Sequence, residues 1–175
     1  MINRTPIYRA LLEYAQKDYM RLHMPGHIGQ ADYLVKELQQ VALIDVTEVP
    51  GIDDLHLPVS EILEGEKLLA EAFKADKSMF LVNGATSGIH ALFLALAKEG
   101  KKVIIPRNAH RSFYGGLVLS GLWPEYVPCE VEPDTGIALS VTPHSVTSAL
   151  QEKDEIIGVF LTSPSFYGTT LKIQE

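Results

Sequence analysis

The chain reads as an α/β protein with a mostly parallel sheet flanked by helices. Apolar runs of strand length alternate with helical patterns, in the order 79–82, helix, 102–106, helix, 126–131, helix, 156–161. Two of the runs, KVIIP at 102–106 and IIGVFL at 156–161, are apolar throughout, as strands covered on both faces are. Three of the four runs end in loops rich in hydroxyls or histidine: Asn83 to Ser87, Asn108 to Ser112, and Thr162 to Ser165. Parallel α/β sheets bind ligands beyond the carboxyl ends of their strands, so the pattern that predicts the fold also predicts where a ligand sits.

Composition narrows the function classes. With 175 residues, 46% of them hydrophobic, the chain can bury a real core. A net charge of −7 argues against a general nucleic-acid binder and against an anionic membrane surface as partner. No apolar run approaches the length of a membrane span, and MINRTPIYRALLEYAQ has no long apolar segment of the secretory kind. The single cysteine, Cys129, excludes an intrachain disulfide and fits a reducing, cytoplasmic setting; it reads as packed and inert.

In chain order, residues 6–17 predict a helix, with Pro6 in the first turn and Ile7, Ala10, Leu11, Tyr14 and Ala15 on one face. RLHMPGHIGQ follows, with a turn at Pro25-Gly26 between His23 and His27. Neither a cysteine nor a compact carboxylate cluster accompanies these histidines, so a loop is expected and a metal is not. Residues 32–40 read as a short helix capped by Asp32, and 41–58 as irregular. Within that stretch Asp53, Asp54 and His56 could form a metal or acid–base site; a loop with local backbone hydrogen bonds is the favoured reading. Residues 58–74 predict a surface helix with Pro58 in its first turn; Ile62, Leu63, Leu69, Ala70 and Phe73 face inward, with Glu66 a polar exception.

SMFLVNGATSGIHALFLALA, residues 78–97, is the stretch around which the chain is organised. It reads as strand, tight polar turn, helix. A helix N-terminus there would aim unpaired N–H groups and the positive end of the helix dipole at one spot, which suits a phosphate. Alternatively Thr86 only N-caps the helix. Lys98-Glu99-Gly100 is expected to end that helix, with Gly100 just past its end. After the strand at 102–106, a helix is predicted from Ser112 to Leu119, with Gly121 and Pro124 as stop signals. Residues 126–131 read as an edge or irregular strand because of Pro128. Asp134-Thr135-Gly136 marks a turn, Thr142-Pro143 opens a helix, and Ile156 to Leu161 is the last strand. His110, at a strand end, could serve as an acid or base or present its flat ring to an aromatic ligand; the plain alternative is a satisfied or surface histidine. Neither G-x-G-x-x-G nor G-x-x-x-x-G-K-[ST] is present, which argues against a dinucleotide fold and a nucleotide-hydrolysing loop.

FLVNGATSGIHA, PRNAHRS and TSPSFYG, in that order, resemble successive landmarks of the fold-type I pyridoxal-phosphate enzymes. HMPGH at 23–27 and DVTEVPGIDDLHLP at 45–58 narrow the resemblance to the ornithine/lysine/arginine decarboxylase group, over about residues 4 to 170. Two positions depart from that group's pattern: Ile28, where a basic residue is usual, and Leu57 before Pro58.

The resemblance implies an aspartate aminotransferase-like large domain. Residues 1–45 would form an N-terminal helical arm and loop, and 46–175 the first part of the pyridoxal-phosphate domain. Ala85, Thr86 and Ser87 would bind the cofactor phosphate, His110 would stack on the pyridine ring, and Ser163 and Ser165 would lie near cofactor or substrate. The helix and the HMPGH loop would support a homodimer or higher homo-oligomer. The substrate would be a basic amino acid, decarboxylated to a polyamine precursor with the cofactor as electron sink. The family's cofactor lysine and pyridine-nitrogen aspartate match nothing here: no D-E-A-H-like segment is present, and Lys172 follows TSPSFYG too soon. The chain is therefore expected to be the N-terminal portion of such an enzyme, inactive by itself. The other readings are another fold-type I enzyme, such as an aminotransferase or lyase, and a non-catalytic chain that binds a partner subunit or a phosphorylated ligand.

Overall fold

The computed structural model describes residues 4–30, 32–151 and 155–171; Lys172, weighed above as a cofactor lysine, lies outside them. The chain forms two compact units, Met1–Phe80 and Leu81–Glu175. Among the described residues no helix is long and apolar enough to cross a membrane.

The first unit holds α1 (Pro6–Ala15), α2 (Lys36–Ile44) and α3 (Glu61–Phe73). Helix α1 starts on its proline and buries Pro6, Ala10 and Tyr14, the face its periodicity predicts. Helix α2 begins four residues later than expected. Its N-cap is Val35, without a side-chain cap bond, and Asp32 sits in a preceding turn. The Gln39 amide ties back to the Leu34 carbonyl at 3.2 Å, so the chain turns through 32–35 before the helix can start. The helix then continues to Ile44, into residues that read as irregular.

Helix α3 also starts later than expected, at Glu61, with Pro58 outside it. The cause is Asp53. Its carboxylate, only 7% exposed, accepts hydrogen bonds from the backbone N–H groups of Asp54 (3.0 Å), Val59 (3.0 Å), Ser60 (2.9 Å) and Ile62 (3.0 Å). It serves as the anionic cap of α3 while holding the lead-in 58–60 out of the helix. Burial pushes the Asp53 carboxyl up, but the N–H groups of Val59, Ser60, Asp54 and Ile62 outweigh it and hold the pKa at about 2, from an ordinary 3.8. The loop reading of the Asp53-Asp54-His56 run thus has a specific form. Glu66, the polar exception on α3, accepts from the Phe80 N–H at 3.3 Å, and its carbonyl accepts from the Ser78 hydroxyl at 2.5 Å.

The second unit is the α/β part. Helices α4 (Gly84–Ala95), α5 (Arg111–Ser120) and α6 (Pro143–Gln151) accompany strands β1 (Lys102–Pro106), β2 (Trp123–Val127) and β3 (Ile156–Val159). The strands are parallel in the order β2-β1-β3, so the expected fold class stands. β1 is central, and its Val103, Ile104 and Ile105 are fully buried. Val103 and Ile105 face one cluster with Phe93, Phe113, Leu117 and Leu122; Ile104 faces the other with Val127 and Val141. This is why KVIIP lacks alternation. Phe93 stacks on Phe160 with centroids 4.2 Å apart, and Phe113 meets both rings edge-on.

Several boundaries differ from those expected. Residues 79–82 are not a strand: none pairs with a neighbour among the described residues, and Met79 and Val82 are 75% and 69% exposed. An apolar run has strand character only where a partner strand satisfies its backbone. Helix α4 stops at Ala95, and Gly100 instead serves a separate turn, at φ +71°, closed by the Lys101 N–H on the Lys98 carbonyl. β2 begins at Trp123 rather than 126, because its register against β1 starts at Lys102↔Trp123. Pro124 is tolerated inside it because β2 is an edge strand, and Pro128 follows its end. Beyond β2, residues 130–132 and 137–140 pair antiparallel around the predicted 134–136 turn, with a bridge between Val131 and Ala138. Thr142 caps α6 as expected, its hydroxyl accepting from the Ser145 N–H at 3.1 Å.

Two stability outcomes follow. Asp53→Ala should cost on the order of 2 kcal/mol, at the upper end for a helix cap, since four N–H groups lose an ionised acceptor. The Asp53 pKa is lower folded than unfolded, so its contribution is complete above about pH 4 and disappears as pH falls toward about 2; denaturation of wild type and variant should converge across that window, and parallel curves would contradict it. At Gly116 an added Cβ would lie 2.6 Å from the Phe93 ring. Alanine there should gain about 1 kcal/mol of helix propensity yet lose more to overpacking, a net loss of about 1–2 kcal/mol by urea denaturation.

Candidate functional site

The carboxyl end of β1, the 130–140 hairpin and the segment after β3 surround a cavity of about 510 Å3. β1 contributes Pro106, Asn108 and His110; the hairpin and its exit contribute Leu139 and Ser140; the last segment contributes Thr162 and Ser165. This is the strand end at which a parallel sheet is expected to bind.

His110 is fixed by its place at the helix start. It is the N-cap of α5, and its carbonyl accepts from the Phe113 N–H at 2.9 Å. Its Nδ1 accepts from the Ser112 N–H at 3.2 Å and lies 2.9 Å from the Ser112 hydroxyl. The residue is exposed, and its ring is tethered through Nδ1. Asn108 donates to the Leu139 carbonyl at 2.8 Å and joins the β1 end to the hairpin.

A hydroxyl chain closes the other side. The Thr169 hydroxyl lies 3.0 Å from that of Ser140 and 2.6 Å from that of Ser165. Ser165 also donates its N–H to the Thr169 carbonyl at 2.7 Å and accepts the Thr169 N–H at 3.2 Å. Ser165 is buried and lines the cavity, but its hydroxyl is engaged in this clasp. Ser163 does not line the cavity; its hydroxyl accepts from the Leu171 N–H at 3.0 Å.

Ala85, Thr86 and Ser87 occupy the first turn of α4. The helix has Asn83 at its N-cap with no side-chain cap bond, so Thr86 is not the cap. Gly84, at φ +70°, makes the turn, and the Ser87 hydroxyl donates to the Gly84 carbonyl at 2.8 Å. Ala85 and Thr86 are exposed, and none of the three lines the cavity that holds His110. The cavity lining thus includes His110 and Ser165 but not the α4 turn, which is an open helix end.

In the first unit both histidines of HMPGH have partners. His23 Nδ1 lies 2.6 Å from the Met24 carbonyl, so it must donate there, and its Nε2 accepts from the buried Tyr14 hydroxyl at 2.8 Å. His27 Nδ1 accepts the Gly29 N–H at 3.1 Å, which leaves Nε2 to donate to Asp45 at 3.2 Å. Beside them Arg21, 8% exposed, donates to the Leu43 carbonyl and lies over the Tyr14 ring at 5.0 Å. Gly29, at φ +75°, is required there: a Cβ would come 2.7 Å from the Arg21 guanidinium. The loop is tied by these hydrogen bonds, and among the described residues no group of three or more His, Cys, Asp or Glu could hold a metal ion.

Residues 138–141 are the part of the cavity that sequence reasoning missed. The signal was present in the Asp134-Thr135-Gly136 turn with apolar Val131 and Ala138 on either side, a hairpin pattern. Thr135 tightens that turn, its hydroxyl and N–H holding the Glu132 carboxyl below its ordinary value.

Comparison with known proteins adds the family. The family model described as Orn/Lys/Arg decarboxylase, major domain, matches residues 5–175. The chain belongs to that family. An arginine decarboxylase of Bacillus cereus is 31% identical over 98% of this chain and 38% of its own length. One from Bacillus subtilis is 32% identical over 98% of this chain and 36% of its length. Among solved structures, lysine decarboxylase A from Pseudomonas aeruginosa superposes with a TM-score of 0.62 at 22% identity, over 83% of this chain and 21% of that one, and so shares the fold. The family is thus one of basic amino-acid decarboxylases, and the chain spans little more than a third of the length of these arginine decarboxylases.

The clasp gives a direct outcome. Thr169→Val removes the hydroxyl shared by Ser140 and Ser165 and should cost about 1 kcal/mol. Amide hydrogen exchange across 163–171 should speed up while that of β1 is unchanged; unaltered exchange in the loop would mean the clasp does not hold it.

Proposed function

We propose that this chain forms one wall of the cofactor site of a pyridoxal-phosphate-dependent decarboxylase that acts on arginine, lysine or ornithine and feeds polyamine synthesis. The observation that carries the proposal is His110. A flat ring, clamped through Nδ1, lines a cavity at the carboxyl end of a central parallel strand, in a chain of the decarboxylase family.

The residues present fit the group. An aromatic cofactor ring needs a flat, fixed face, which His110 offers. A phosphate needs convergent donors, and the uncapped first turn of α4 offers the N–H groups of Ala85, Thr86 and Ser87 at the positive end of a 12-residue helix, with the exposed Thr86 hydroxyl beside them. Ser165 and Ser163 act through the loop after β3: their hydroxyls secure it, and the loop shapes the cavity rim. When bound, the cofactor supplies the electron sink for the charge left as carbon dioxide departs. This chain's part is to hold the ring face, anchor the phosphate and wall off one side from water.

None of the described lysines lines the cavity, so the attachment lysine is sought elsewhere in the protein, and these 175 residues alone should not decarboxylate. We propose a cytoplasmic protein that works as a homodimer or higher homo-oligomer.

The test is cofactor affinity in the protein as its source makes it, followed by absorbance titration with pyridoxal phosphate. His110→Ala should weaken binding on the order of tenfold. Thr86→Ala combined with Ser87→Ala should weaken it further, by loss of donors to a charged group. Unchanged affinity in both variants would remove this site, and release of carbon dioxide from none of the three amino acids would remove the activity.

A further inference from the structure

The cofactor reading uses the Ser112 N–H on the His110 ring and leaves the Ser112 hydroxyl without a role. Ser112 is 2% exposed, and the partner of its hydroxyl is the imidazole Nδ1 at 2.9 Å. The Ser112 backbone N–H points at the same nitrogen at 3.2 Å. A backbone N–H can only donate, so Nδ1 must present its lone pair. The hydroxyl, which could otherwise accept, is then a second donor to that nitrogen. In the neutral ring the proton is consequently on Nε2, which has no hydrogen-bond partner among the described residues.

We propose that Ser112 is a positioning residue of the cofactor site: with two donors on Nδ1 it holds His110 as the neutral tautomer protonated at Nε2 and fixes the plane of its ring. The proposal rests on the reading of His110 as the platform for an aromatic cofactor. The tautomer matters there for an electrostatic reason. A protonated pyridine ring carries positive charge, and an imidazolium stacked on it would set like charge against like charge. A neutral imidazole presents an uncharged face. Ring orientation is secured too, because turning the ring would put the Cδ2–H, which cannot accept, against the Ser112 N–H.

The tautomer can be read without the cofactor. In the protein as its source makes it, freed of cofactor and labelled with 15N-histidine, the two-bond proton–nitrogen correlation pattern of His110 should show an unprotonated Nδ1 and a protonated Nε2. Ser112→Ala removes the nearer donor and leaves the 3.2 Å backbone N–H as the one hold on Nδ1, so the other neutral pattern should appear as a minor component beside the first. Ser112→Thr, which restores the hydroxyl, should return the single one. Pyridoxal-phosphate affinity should fall about fivefold in Ser112→Ala and recover in Ser112→Thr. A protonated Nδ1 in the unaltered protein, or a pattern unchanged in Ser112→Ala, would overturn the proposal whatever the cofactor does. Failure of the platform reading would show separately, as His110→Ala with unchanged cofactor affinity; Ser112 would then have no site to position, and the role would fall with it.

Discussion

Strand β1 is the constraint on which the second unit depends. Its Val103, Ile104 and Ile105 are covered on both faces, each burial being worth about 2 kcal/mol, and both neighbouring strands register against it. Because the strand cannot slip without turning every side chain to the opposite cluster, the place where it ends is fixed. Pro106 closes it, and within four residues the chain has delivered Asn108 to the hairpin and His110 to the cap of α5. The cavity is thus a consequence of core packing. The Phe93–Phe113–Phe160 cluster holds α4, α5 and the end of β3 together, and Gly116 lets α4 come close enough for the rings to meet.

The first unit solves a different problem with one carboxylate. A lead-in with an exposed turn at Pro50-Gly51 would leave the N–H groups before α3 without partners; Asp53 gathers three of them and one from the first turn of α3, and sets where the helix begins. The same logic recurs at His23 and His27, whose ring nitrogens are engaged by Tyr14, the Met24 carbonyl, the Gly29 N–H and Asp45. Residue types that could carry chemistry here hold backbone in place.

Much of this was legible in the residues. The apolar strand at 102–106, the start of the last strand at Ile156 (which ends at Val159, short of the expected 161), the helix opened by Thr142-Pro143, and the placement of His110 at a strand end all follow from pattern and turn chemistry. What was not legible depended on partners distant in sequence. Residues 79–82 have strand composition, but pairing is a property of two segments, and the described residues contain no neighbour for them. The delayed starts of α2 and α3 come from Gln39 and Asp53 reaching across five to nine residues, which helical periodicity does not record. At the site, hydroxyls at 163, 165 and 87 were visible, but their engagement with Leu171, Thr169 and Gly84 was not. Ser112 was legible only as one polar residue beside His110; its role rests on a 2.9 Å approach to one ring nitrogen.

We propose that the end of β1 and the start of α4 belong to one cofactor site. A crystal structure of the protein as its source makes it, grown with pyridoxal phosphate, tests this most directly. The cofactor ring is expected against the face of His110, with its phosphate on the N–H groups of residues 85–87. Cofactor bound away from both, or against His110 with its phosphate far from α4, would contradict it.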